Sequence, residues 1–161
     1  MRPLVNLLYP TWQVQRPIRV SRSVLVEPER VERYVRLATQ NLQRVDGPVG
    51  VVVLFDADDD CAATLGPDLQ KAYASMTDLP IKVCLAVREF EAWLVAGHLS
   101  GGDQPEAKRD AKRVLKEHFG RYTPSADQAR LTARLDVSKC LERSRSFKHF
   151  ADALAKLAEP S

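Results

Sequence analysis

The sequence predicts an α/β domain, a mostly parallel sheet with flanking helices followed by a helical C-terminal part, and three observations lead there. Val49-Gly50-Val51-Val52-Val53-Leu54-Phe55 is a continuous apolar, β-branched run, the pattern of a strand buried on both faces. Ile81-Lys82-Val83-Cys84-Leu85-Ala86-Val87 is a second such run. Helical periodicity lies between the two and after them, and strand, helix, strand, helix at these spacings reads as a parallel sheet with crossover helices.

Taken in order, Leu4, Val5, Leu7 and Leu8 read as the tail of a helix. Gln15 to Val20 suits a short strand, which Pro17 confines to an edge or a strand start. Pro28 suits a first helical turn, and Val31, Tyr34, Val35, Ala38 and Leu42 then recur at helical spacing up to Val45. Asp46-Gly47-Pro48 ends that helix. Beyond the first strand a helix follows Gly66-Pro67 through Leu69, Ala72, Tyr73 and Met76, and beyond the second a helix begins at about Glu89. Gly97 to Pro105 reads as a loop. Ala107 to Phe119 is helical, with Ala111, Val114, Leu115 and His118 inward. After Tyr122-Thr123-Pro124, two or three shorter helices run to Leu157. The expected organisation is one domain over 1–161, with an α/β part in 1–100 and a basic helical part in 105–161.

A chain of 161 residues, 45% of them hydrophobic, can bury a core without disulfide or metal staples. No run approaches the ~20 apolar residues needed to span a bilayer, and no small-residue cleavage site follows the first apolar patch. Cys61, Cys84 and Cys140 are odd in number and form no Cys-x-x-Cys pair. His98, His118 and His149 stand at ligand spacing from none of them. The expectation is a cytoplasmic protein without structural zinc and without a membrane contact. Residues 105–161 hold 13 Lys and Arg against 8 acids, while the rest holds 11 against 13. That split suits a metal site beside an anion-binding surface, although solvated helix faces are its commoner origin.

The chemistry concentrates in Phe55-Asp56-Ala57-Asp58-Asp59-Asp60, at the carboxyl end of the first strand, where ligands gather in open parallel sheets. Four carboxylates in five positions repel one another, and a hard cation such as Mg²⁺ or Mn²⁺ relieves the repulsion and bridges to phosphate. Asp56 and Asp58, two apart in extended chain, point the same way and can share an ion. Asp60 is a further candidate ligand, although Asp59 and Asp60 also suit a solvent-facing turn, and the whole cluster also suits a polar loop. Glu89 and Glu91 hold the equivalent place after the second strand. They can reach the same ion, or simply favour the start of a helix. Lys108, Lys112 and Lys116, with Arg109 and Arg113 beside them, form a helical stripe that could track a phosphate backbone or face water. Lys148, near Ser146, is a weaker candidate, and Trp12 and Trp93 read as core or interface aromatics.

Val52 to Asp60 followed by Ala86-Val87-Arg88-Glu89-Phe90-Glu91-Ala92-Trp93 resembles the Toprim-like family of unknown function often encoded beside AAA-type ATPases. The similarity extends to Arg16-Pro17-Ile18-Arg19-Val20 and to Arg143-Ser144-Arg145-Ser146-Phe147, so it covers nearly the whole chain. The resemblance implies a Toprim-like, Rossmann-like sheet and a Mg²⁺- or Mn²⁺-dependent nuclease or nucleotidyl-transfer domain. It implies DNA or RNA phosphodiesters as substrate, an AAA-type ATPase as partner and a place in bacterial defence. It carries Asp56 and Asp58 onto the family's metal-binding pair and Glu89 and Glu91 onto its additional catalytic acids. Toprim domains also use a glutamate after a first strand, and no Glu precedes Glu27 here. Either the true start lies upstream or the glutamate has been lost, and weak or no cleavage by this chain alone is expected. The second reading is therefore a catalytically silent Toprim-like partner of an ATPase. Haloacid-dehalogenase-type phosphatases and nucleotide-sugar glycosyltransferases also place Asp-x-Asp after an apolar strand and stay open as alternatives.

Overall fold

The computed structural model describes residues 2–40, 42, 45, 47–101, 104–107 and 109–159. The fold is mixed α/β. Strands β1 (Val51–Asp56) and β2 (Ile81–Ala86) pair in parallel, in a register running from Val51 opposite Ile81 to Asp56 opposite Ala86. Helix α4 (Ala62–Ala74) makes the crossover between them. Among the described residues the sheet has only these two strands, smaller than the sequence predicts.

Strand alternation sorts the core into two layers. Val51, Val53 and Phe55 of β1, with Ile81, Val83 and Leu85 of β2, face α4 and α3 (Pro28–Gln40), packing on Leu69, Tyr73, Val31 and Val35. Val52, Leu54, Cys84 and Ala86 face the other way, onto α5 (Glu91–His98) and α9 (Arg145–Ala158), where Trp93, Leu94, Phe147, Phe150 and Leu154 are buried. The sheet is thus sandwiched by helices. That is why both strands read as uninterrupted apolar runs. Helices α1 (Arg2–Leu8), α6 (Ala111–Phe119), α7 (Pro124–Thr132) and α8 (Val137–Arg143) extend the second layer through Leu4, Leu115, Leu131 and Cys140. A short α2 (Arg22–Leu25) precedes α3.

Several expectations need correction. Gln15 to Val20 forms no strand, and residues 15–19 are exposed. Pro17 has no N–H for a ladder there. Helix α4 starts at Ala62, ahead of Gly66-Pro67, and tolerates Pro67 inside it for the loss of the hydrogen bond to the Ala63 carbonyl. Helix α6 starts at Ala111 instead of Ala107, because Asp110 is left-handed at φ 71 and Pro105–Ala107 forms a separate 3-10 turn. His118 is exposed rather than inward. Helix α3 ends at Gln40, short of Val45, while Gly97 and His98 still belong to α5. The three cysteines are free, with Cys84 and Cys140 buried. No helix among the described residues is long and apolar enough to cross a membrane.

Gly97 is where α5 packs tightly against Leu135 and against Cys140 of α8. A Cβ there would stand 2.5 Å from Leu135 Cδ1 and 2.8 Å from Cys140 Sγ. Gly97→Ala is therefore expected to destabilise by about 1–3 kcal/mol through overpacking, despite alanine's better helix propensity. Urea denaturation checks this, and a stabilised variant would refute the close packing.

Candidate functional site

Both strands end at the same level, and the loops that follow are joined. The Ala57 N–H donates to the Ala86 carbonyl (2.8 Å) and the Asp58 N–H to the Arg88 carbonyl (3.0 Å), extending the ladder beyond the strands. Asp58 and Arg88 are both left-handed, at φ 52 and φ 63, which is uncommon for residues other than glycine. The premise that Asp56 and Asp58 lie in extended chain therefore fails: the chain turns at Asp58.

Arg22 holds the turn from below. Its Nε donates to the Asp56 carbonyl (3.2 Å) and its Nη2 to that of Ala57 (3.3 Å). The same guanidinium pairs with Asp58 Oδ2 (3.1 Å) and with the Asp60 carboxylate. Asp59 turns the other way, to Arg109 and Arg88. Arg22→Ala is expected to cost about 1–2 kcal/mol by releasing two half-buried carbonyls. A urea midpoint unchanged from the parent would show that the turn holds itself.

Asp56 behaves differently from its neighbours. Its Oδ1 accepts the Phe90 N–H (2.8 Å) just ahead of α5. Burial pushes its pKa up to about 6; the Phe90 hydrogen bond opposes this, while the Glu91 and Asp58 charges add to it. Glu91, at 2% exposure, accepts from the Tyr122 hydroxyl (2.9 Å), and both burial and the Glu91 charge hold the Tyr122 phenol well above its ordinary range. Lys112, from the first turn of α6, joins these acids. Its Nζ pairs with Glu89 and stands 3.4 Å from Glu91 Oε2. Partial burial works against the ammonium, but the Glu89 and Glu91 carboxylates outweigh it and hold the lysine charged above its usual pKa.

Beside this cluster opens a cleft of about 410 Å³ lined by Asp58, Asp59, Arg88, Glu89, Arg109, Asp110, Lys112 and Arg113. The basic stripe does not survive as one surface. Lys112 belongs to the acids, and Arg109 precedes the helix and meets Asp59. Arg113 pairs with Glu117, and Lys116 is exposed. Lys108 lies outside the described residues. Lys148 is engaged with Asp152 on α9.

The donors Asp56, Glu89 and Glu91 are all hard carboxylate oxygens, the chemistry Mg²⁺ or Mn²⁺ takes. As the side chains stand, Lys112 meets the charge of Glu89 and Glu91, and Asp56 accepts the Phe90 N–H. Among the described residues no group of three or more His, Cys, Asp or Glu is gathered to hold one ion. The site thus defines an α/β domain with an acidic centre at its strand ends and a cleft of mixed charge beside it. Compared with known proteins, the chain matches no family model, no curated protein and no solved structure.

Arg22, Arg88 and Tyr122 were not legible as site residues. Arg22 lies 34 residues before its partner Asp56 in a segment without periodicity. Lys112 left no signal of its role either, because a helix read from Ala107 puts it beyond the first turn, and only the later start at Ala111 sets it against the helix dipole.

Proposed function

We propose that this chain is a Toprim-like domain acting on phosphodiesters of DNA or RNA, with Asp56, Glu89 and Glu91 as the carboxylates that would hold Mg²⁺ or Mn²⁺. The observation that carries the reading is the meeting of acids from two adjacent parallel strand ends beside a cleft into which Arg88, Arg109, Lys112 and Arg113 project among acids. A divalent ion held by these carboxylates would supply Lewis-acid polarisation of a phosphoryl oxygen and a more acidic bound water. The chain's own part is to hold the acids in place through Phe90, Tyr122 and Arg22, and to bind the phosphate backbone with Arg88, Arg109 and Arg113. Asp58 and Asp60, turned to Arg22, would serve as outer carboxylates that orient the turn.

Thermal melts with and without excess Mg²⁺ test the reading. An ion that binds only the folded state must raise the melting temperature. The parent is expected to gain stability and Asp56→Asn with Asp58→Asn to gain none. A double variant with undiminished metal affinity would overturn the assignment. For the cationic side of the cleft, Arg109→Ala with Arg113→Ala is expected to flatten the plot of log affinity against log salt by roughly 2 units, equally for every sequence. An unaltered slope would return both residues to a solvated face.

A second reading, a catalytically silent partner of an ATPase, is favoured by one observation: Asp58, Asp59, Asp60, Glu89 and Glu91 each already meet a protein cation. A supercoiled-plasmid nicking assay with Mg²⁺ separates the two, since a silent module nicks no better than its Asp56→Asn variant.

A further inference from the structure

The two outer edges of the sheet are finished differently. On β2 the Gln70 side chain of α4 replaces a neighbouring strand: its Nε2 donates to the Ile81 carbonyl (2.9 Å) and its Oε1 accepts the Val83 N–H (2.9 Å). Ser146 Oγ takes the Val87 N–H just beyond. β1 has no such cover. Its Val51 N–H reaches the Pro80 carbonyl and the Ala57 N–H that of Ala86, so Val51, Val53 and Phe55 turn their backbone groups to β2. Val52 and Leu54 therefore direct theirs outward, where among the described residues they meet no partner. Arg22 reaches only the Asp56 carbonyl, at the far end of the strand.

Val52 and Leu54 are half-buried on one face of the sheet, and Val51 and Val53 on the other. A strand completing this edge must therefore be apolar on both faces. β1 itself meets that requirement. Gln15 to Val20 does not, since it carries Arg16 and Arg19 and its Pro17 has no N–H. Charge fixes the direction. A parallel partner would set the acidic turns at residues 56–60 of two copies side by side, whereas an antiparallel one places them at opposite ends.

We propose that β1 is the docking edge for a second copy of this chain, pairing antiparallel with the partner's β1 about a two-fold axis at Val53. Val52 and the partner's Leu54 then exchange both N–H···O bonds, and symmetry repeats the pair. Asp56, the only charged residue of the strand, faces the partner's Gly50. The product is a four-stranded sheet with β2 outermost on both sides. Because Gln70 occupies that edge in each copy, assembly closes at two.

Sedimentation velocity of the full chain over a concentration series tests this, with a reversible monomer–dimer equilibrium and no larger species expected. Val52→Pro removes an outward N–H and no bond to β2, so the fold tolerates it while the edge is blocked. Its dimer dissociation constant is expected to rise at least about tenfold, since symmetry removes two hydrogen bonds. Val52→Lys gives the same measurement if the proline variant fails to fold. Register is read by mild oxidation in a Cys61→Ser background, which removes the exposed thiol. Val53 faces the partner's Val53 in a non-hydrogen-bonded pair, with Cα atoms about 4.5 Å apart, within disulfide reach. Val53→Cys is expected to give a covalent dimer and Val52→Cys little. A monomer at every concentration, a dimer indifferent to the substitutions at Val52, or equal cross-linking at both positions would overturn the proposal. Open-ended assemblies would also overturn it, since they require the β2 edge to pair. So would slow amide exchange at Val52 and Leu54 in the monomer, which would give the edge to the chain's own residues 15–20.

Discussion

Asp56→Asn is expected to stabilise the metal-free protein at neutral pH and to change it little near pH 4. The native Asp56 carboxyl holds its proton up to about pH 6, against an ordinary value of 3.8. Between those values the folded state binds a proton that the unfolded state has released, so this group's contribution falls as pH rises through the window. Above about pH 6 the full cost of a charged, mostly buried carboxylate is present. A shift of this size corresponds to about 3 kcal/mol, an upper figure for one partly solvated group. Asparagine keeps the oxygen that accepts the Phe90 N–H, so the substitution removes charge without removing the hydrogen bond. A gain of about 2–3 kcal/mol, or roughly 5–10 °C in melting temperature, is expected at pH 7.5. Thermal or urea melts at both pH values check this. An equal effect at pH 4 and pH 7.5, or a loss at pH 7.5, would mean that burial does not govern this carboxyl.

Trp93→Ala carries the largest expected loss. The side chain is fully buried, with Phe90, Phe147 and Phe150 rings at 5.3, 5.4 and 5.4 Å, the Phe147 contact edge-to-face. Truncating a buried tryptophan costs about 3–5 kcal/mol. Here the indole N–H also donates to Ser146 Oγ (2.7 Å), which accepts the Val87 N–H (3.2 Å) and donates to Glu106. Glu106 in turn takes the Ser144 hydroxyl and the Arg145 and Ser146 N–H groups at the start of α9. Trp93 thus ties α9 to the backbone directly before Arg88 and Glu89. The alanine variant is expected to lose at least about 4 kcal/mol, combining the cavity with the loss of one of the donors to Ser146 Oγ. Trp93→Phe should keep much of the packing and lose only the donor. Near-parental urea stability of the alanine variant would show that this network is dispensable.

Both strands and most helices were legible because each is dictated locally. A β-branched run of six or seven residues has few alternatives to a buried strand, and Tyr122-Thr123-Pro124 announces α7 with Pro124 in its first turn. What local pattern missed was decided by distant partners. The α6 boundary depends on the left-handed Asp110. Lys112 looked like one rung of a solvated stripe because nothing in its neighbourhood names Glu89 and Glu91, the first of them 23 residues away in sequence and both adjacent in space. Arg143-Ser144-Arg145-Ser146-Phe147 drew attention beside a phosphate-directed lysine. Its serines instead cap α9 and anchor Trp93. The acids were legible as a cluster, but the cations that hold them were not.

The narrowness of the sheet has a consequence for how this molecule behaves in bulk. Among the described residues β1 pairs only with β2, and Val51 to Leu54 are half-buried where β2 is almost wholly covered. Along its outer side β1 therefore presents a row of backbone donors and acceptors between apolar side chains. Such an edge recruits any extended chain that can complete the ladder. Self-association that grows with concentration, and relief of it by a single charged residue at Val52 or Val53, is the colloidal signature this edge should give. Light scattering across a dilution series reads it directly.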